Sequence, residues 1–66
     1  MNYTELNRVI DESGLKRSHI AKRLQMTDAV FSKRTSGMTG WKVGEAAELA
    51  KILGLSKTKA YDIFLT

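Results

Sequence analysis

Residues 14 to 37 read GLKRSHIAKRLQMTDAVFSKRTSG, two short helical patterns with a brief interruption between them. At 3.6 residues per turn, Ile20, Ala21 and Leu24 fall within one arc of about 100°, leaving Ser18, His19, Lys22 and Arg23 outside it. That spacing predicts a one-sided helix from about Arg17 to Leu24. Thr27 is a favoured N-cap, so the next helix is expected to run from there to about Ser36 and to stop at Gly37, which adopts the left-handed conformation without a Cβ penalty. Only Gln25 and Met26 lie between the two helices, so they must cross steeply and in close contact, with small Ala21 where the contact falls.

The flanking sequence carries the same kind of signal. A helix is predicted from about Tyr3 to Ser13, with Asn2 as cap, Glu5 three positions on as in a capping box, and Leu6, Val9 and Ile10 as the buried stripe; Gly14 supplies the stop. After Gly37 another helix begins between Thr39 and Val43, weakened in its first turn by Gly44, and ends before Gly54 after burying Ala46, Leu49, Ile52 and Leu53. Ser56 caps a last helix, about Lys57 to Phe64. There is no proline, repeat or strand-like alternation, so the expected fold class is all-α, five helices in a single domain spanning residues 1–66.

A chain of 66 residues is close to the lower size for an unaided core, since such chains bury only about 60% of their unfolded surface. No cysteine is present to staple it. The single histidine, His19, falls on the polar side of its helix with no second ligand beside it, so neither a metal nor another cofactor is expected. No glycine-rich phosphate loop and no nucleophile with a recognisable base appear, which argues against an enzyme and leaves no small-molecule site in view. No apolar run approaches the roughly 20 residues of a membrane span, no signal-like segment opens the sequence, and the lack of cysteine fits a reducing compartment. The expectation is a cytoplasmic protein without membrane contact.

The formal charge is +4, and its distribution is uneven. Residues 16 to 34 hold Lys16, Arg17, Lys22, Arg23, Lys33 and Arg34 against one acid, Asp28, whereas the other 47 residues carry five bases and six acids. The excess positive charge therefore lies wholly in the paired-helix stretch, where it marks either a solvated face or a surface for nucleic acid.

Leu15, the Ile20-Ala21 pair, Leu24, Met26, Thr27, Phe31-Ser32-Lys33 and Gly37 occur at a joint spacing that resembles the helix-turn-helix of the Cro and lambda-repressor-like family, often called the Xre family. The later Gly54-Leu55-Ser56 is similar to that family's usual link into its last helix. The resemblance implies a five-helix lambda-repressor-like domain whose third helix is braced by the second and projects into the major groove of double-stranded DNA. Three positions depart from the pattern. Lys16 stands where a capping Ser or Thr is usual, Gln25 where the turn usually has glycine, and Arg34 on the inward face where an apolar or aromatic residue is usual. Gln25 thus implies either a left-handed glutamine or a different turn, and the stem of Arg34 can pack inward while its guanidinium reaches solvent or phosphate. Trp41 is read either as stacked on Arg34 or as core.

Taking Asp28 as zero, Ser32 lies at about 40°, Ser36 at about 80°, Ala29 at about 100° and Lys33 at about 140°, a polar or small face; Val30, Arg34 and Phe31 lie at about 200°, 240° and 300°, the expected inward face. Lys33 can donate to guanine or phosphate, Ser32 can bond either, Ala29 can touch a thymine methyl, and Asp28 can accept from cytosine N4. Equally, Asp28 can simply serve the helix dipole and Ser32 can be an ordinary surface residue. Arg17 opens the second helix, where the resembling family often has a DNA-contacting glutamine. Ser18, Lys22, Thr27, Arg34 and Ser36 complete the expected phosphate contacts, helped by backbone amides at the start of the second helix.

The resemblance implies a transcriptional regulator of phage or prophage origin that represses by occupying an operator. Two other readings stay open: a protein-interaction module on the same fold, antitoxin-like in kind, and a nonspecific nucleic-acid-binding protein. The apolar arc of the last helix, from Ile63 through Ala60, Phe64 and Tyr61 to Leu65, spans about 200°, twice what one core contact needs. Tyr61, Phe64 and Leu65 are accordingly expected either to pair two copies as a homodimer or to close the monomer's own core under the first helix.

Overall fold

The computed structural model describes residues 1 to 65 and is all-helical, with no strand among them. Its five helices are α1 (Tyr3–Glu12), α2 (Arg17–Arg23), α3 (Asp28–Ser36), α4 (Val43–Leu53) and α5 (Lys57–Phe64). No described helix is long and apolar enough to cross a membrane.

Local chemistry sets the boundaries. Asn2, Thr27 and Ser56 each accept, through a side-chain oxygen, the backbone N–H three residues on. Each thereby satisfies one amide that the first turn of its helix leaves without a partner. At α1 only half of the expected capping box forms. Glu5 turns away from Asn2 to meet Arg8 and, at 2.7 Å, Lys59 of α5. The Arg8 guanidinium first, and Lys59 second, hold the Glu5 carboxyl down at about 2. Lys16 gives α2 no side-chain cap. The fourth helix starts at Val43, where the Glu45 carboxylate accepts from the Lys42 backbone N–H at 2.9 Å.

Every helix sends at least one apolar side chain into one core. Leu6 and Ile10 come from α1, Ile20 and Ala21 from α2, Phe31 from α3, Leu49 from α4 and Ile63 from α5, all buried. Val9, Ile52 and Leu53, expected inside, are only partly buried and pack against this cluster from its margin. The helix α3 packs on both α2 and α1, and α1 also packs on α5. The first and last elements are further joined by the Asn2 N–H, which donates to the Ile63 carbonyl at 2.8 Å.

The turn between α2 and α3 is built on Gln25, the one non-glycine residue with positive φ (59°) among those described. Its left-handed backbone lets the Met26 N–H reach back to the Ala21 carbonyl at 2.9 Å and closes the turn in two residues. An L-residue there carries strain of about 1–2 kcal/mol, of which glycine's greater unfolded-state entropy cancels part. Gln25→Gly should therefore raise stability by up to about 1 kcal/mol, read as a higher urea midpoint at unchanged slope. A lower midpoint would mean that the glutamine side chain contributes more than its backbone costs.

Candidate nucleic-acid interface

The position of α3 is fixed from both ends. Thr27 holds its first turn, and three carbonyls of its last turn, which a helix leaves without partners, are taken up. Lys33 O accepts from the Gly37 and Met38 N–H groups, Arg34 O from the Trp41 indole at 3.1 Å, and Thr35 O from Asn7 of α1 at 2.9 Å. Gly37 ends the helix at φ 87°, and a Cβ there would lie 3.1 Å from the Tyr3 ring, so α1 closes against this corner.

The buried side of α3 is centred on Phe31 and Thr35, both under 5% exposed. Thr35 reads as polar, but its hydroxyl donates to the Ser32 carbonyl, so its polar atom is satisfied within the helix and the side chain can be buried. The inward sector thus lies about 70° from where the placement of Val30, Arg34 and Phe31 had put its centre. Val30 is a correction: it is 37% exposed, on the outer side with Ala29 and Lys33. Val30 is the outer-face residue of α3 that sequence reasoning missed, and it adds an exposed apolar side chain to that face.

Asp28, Ala29, Ser32, Lys33 and Ser36 are all exposed, as are Ser18, Lys22 and Thr27. They do not form one uniform face. Asp28 and Ser32, with Arg17 and Ser18 of α2, line a notch of about 230 Å³ over Phe31 and Thr35. Ala29, Val30 and Lys33 lie further round. Thr27 Oγ1 is occupied as the α3 cap, and Ser36 donates to its own helix at Lys33 O.

The six bases of the charged window separate into two kinds. Lys16, Lys22, Arg23 and Lys33 are exposed and have no carboxylate within ion-pair distance among the described residues. Arg17 is paired with Asp11 across the α1–α2 corner at 2.8 Å. Arg34, expected as a phosphate contact, turns inward instead: its Nη1 donates to the Gly40 carbonyl and lies 3.1 Å from Glu45 of α4, with 15% of the side chain exposed. Its long stem and planar head span the α3–α4 loop, which is why it does not reach outward. Trp41 does not serve as a platform for Arg34. It packs edge-on against Phe31 and Phe64, each with ring centres 6.3 Å apart, and its indole caps α3.

No protein family, curated protein or solved structure matches this chain. What it does must be read from its own residues. Among those described, no three metal-ligating side chains come together, and His19 is exposed on α2. The remaining chemistry is a rigidly seated short helix, a mixed donor and acceptor notch beside it, and four cations free to meet phosphate.

Proposed function

We propose that this protein is a sequence-specific double-stranded DNA-binding regulator, a Cro-like repressor in which α2, the Gln25-Met26 turn and α3 act as a lambda-repressor-like helix-turn-helix. The observation that carries this reading is the concentration of four unpaired cations, Lys16, Lys22, Arg23 and Lys33, on and beside α3, whose outer face presents Ala29, Val30, Ser32 and Lys33. Cations without internal partners release counterions from DNA at little cost, while a helix locked at both ends can hold base-edge contacts in register. Ala29, Val30, Ser32 and Lys33 read bases, with Asp28 accepting from cytosine at the notch; Lys16, Ser18, Lys22 and Arg23 contact phosphates. Arg17 joins them once it leaves Asp11. Two copies occupy a two-fold site with their reading helices about 34 Å apart, and DNA supplies most of the association.

Selection of bound sequences from a random DNA pool tests this directly. A two-fold consensus with half-sites about one helical turn apart is the expected result. Recovery of unenriched DNA would leave only nonspecific binding, and no recovery at low salt would end the DNA reading altogether.

Readers and anchors should respond differently to substitution. Lys33→Ala and Ser32→Ala should each relax preference at particular base pairs by about 1–3 kcal/mol, and Val30→Ala should weaken discrimination of thymine. Lys22→Ala and Arg23→Ala should lower affinity evenly across sequences and flatten the salt dependence. Competition binding on single-position operator variants measures both. Even losses from all five substitutions would show that the outer face of α3 does not read bases.

A further inference from the structure

Away from α2 and α3, the structure has a second open surface, a trough of about 410 Å³ running between α4 and α5. Its floor is made of small residues, Ala46, Ala47, Ala50 and Ala60, and its walls of Trp41, Tyr61, Phe64 and Leu65. Val43 stands at one mouth with 89% of its surface exposed, and Tyr61 and Leu65 are 58% and 68% exposed. A floor of alanines beneath aromatic walls lets another backbone approach closely and lets large apolar side chains insert.

Among the described residues, the charged side chains that line the trough are of one sign: Lys42, at the cap of α4, and Lys57, in the first turn of α5, with no Asp or Glu side chain lining it. The two lysines sit toward opposite ends of α4, because only three residues separate the end of α4 from the start of α5. An 11-residue helix at 1.5 Å per residue separates them by about 16 Å. Lys51 lies about 80° round α4 from Val43, flanking the same side, whereas Glu48 lies about 140° away, as does Asp62 from Lys57 on α5.

We propose that this trough is the docking site for an acidic amphipathic helix of another protein, with apolar side chains seated between α4 and α5 and carboxylates at each end meeting Lys42 and Lys57. Charge decides against a second copy of this chain as the occupant. Two-fold pairing across the trough would bring the lysine-lined face of each copy against the same face of the other, and like charges at a rim oppose association. No residue lining the trough comes from α2 or α3, so docking leaves the proposed DNA surface uncovered and does not depend on it.

The probe is a synthetic 15-residue helical peptide with leucines at i, i+4 and i+8 and glutamates at both ends, set against the same peptide carrying lysines in place of the glutamates. Methyl resonances of Ala46, Ala47, Ala50 and Ala60 and the Trp41 indole signal report on the trough. The acidic peptide should move them saturably, and the basic peptide should bind about fivefold to tenfold more weakly, as expected for two partly solvated charge pairs. The K42E/K57E variant, altered only at exposed positions, should reverse that preference. Ala47→Arg, which fills the floor from an exposed position, should abolish binding of both while leaving the circular dichroism spectrum unchanged. Equal binding of the two peptides overturns the charge assignment. No movement of these signals with either peptide, or the same movement on concentrating the protein alone with a matching rise in sedimentation, overturns the proposal and in the latter case gives the trough to a second copy.

Discussion

Phe31→Ala is expected to lower stability by about 3–5 kcal/mol, which for 66 residues is comparable with the whole folding free energy of about 3–10 kcal/mol. Three things are lost together. The ring is 3% exposed at the junction of α1, α2 and α3, it meets Trp41 edge-on, and it forms part of the base of the notch at Asp28 and Ser32. The cavity left behind weakens the seat of α3, so both the fold and the notch on its outer side suffer. Urea unfolding followed by the fluorescence of Trp41, the one tryptophan, reads the change at the affected contact. Phe31→Leu, which keeps most of the volume, should recover more than half of the loss. A loss under about 1 kcal/mol for the alanine variant would mean that α3 is not held by this side chain.

The second large effect is expected where α3 meets α4. Glu45→Ala removes the carboxylate facing Arg34 and the acceptor for the Lys42 N–H, leaving a guanidinium that is 15% exposed and whose buried Nε already has no partner. Fully buried pairs broken on one side cost about 3–5 kcal/mol; with both side chains partly open to solvent, about 2–3 kcal/mol is expected here. The double change Arg34→Met with Glu45→Gln removes the charge and the orphaned Nε while preserving the packed stem, so it should cost less than Glu45→Ala alone. A double-mutant cycle in denaturant measures the coupling between the two residues, expected at about 1–2 kcal/mol. Arg34→Met also separates two roles for this arginine. If it contacts phosphate, DNA affinity and its salt slope fall with little change in stability; if it clamps the loop, stability falls and the salt slope holds.

Much of this arrangement is legible because the helix-ending residues have local causes. Asn2, Thr27 and Ser56 cap by the geometry of their own side chains, Gly37 and Gly54 end helices by their own backbone freedom, and the short break leaves Gln25 either left-handed or in a different turn, of which the first is found. Features that depend on distant partners could not be read the same way. The inward phase of α3 turns on Thr35, which reads as polar until its hydroxyl is seen bonded within the helix, so that the side chain can be buried. Arg34 looks like a phosphate ligand until Gly40 and Glu45 are brought beside it by the loop. Likewise Glu5 looks like half of a capping box, but Arg8 and, 54 residues away in sequence, Lys59 together draw it off. Along α5 the wide apolar arc is plain. Its opposing wall is not, because alanines on α4 read as good helix formers rather than as the floor of a trough.

The clasp between Asn2 and Ile63, with Glu5 and Lys59 beside it, bears on how the molecule opens. Contacts that join the first helix to the last can form only after most of the chain has been brought together, so their loop-closure entropy falls at one late point in folding. Unfolding of α1 or α5 would expose Leu6 or Ile63 to water, and the Asn2 amide, next to the start of the chain, is tied to the last helix. Core amide hydrogens of α1 and α5 should therefore exchange together, through one shared opening, and not as separate foldons.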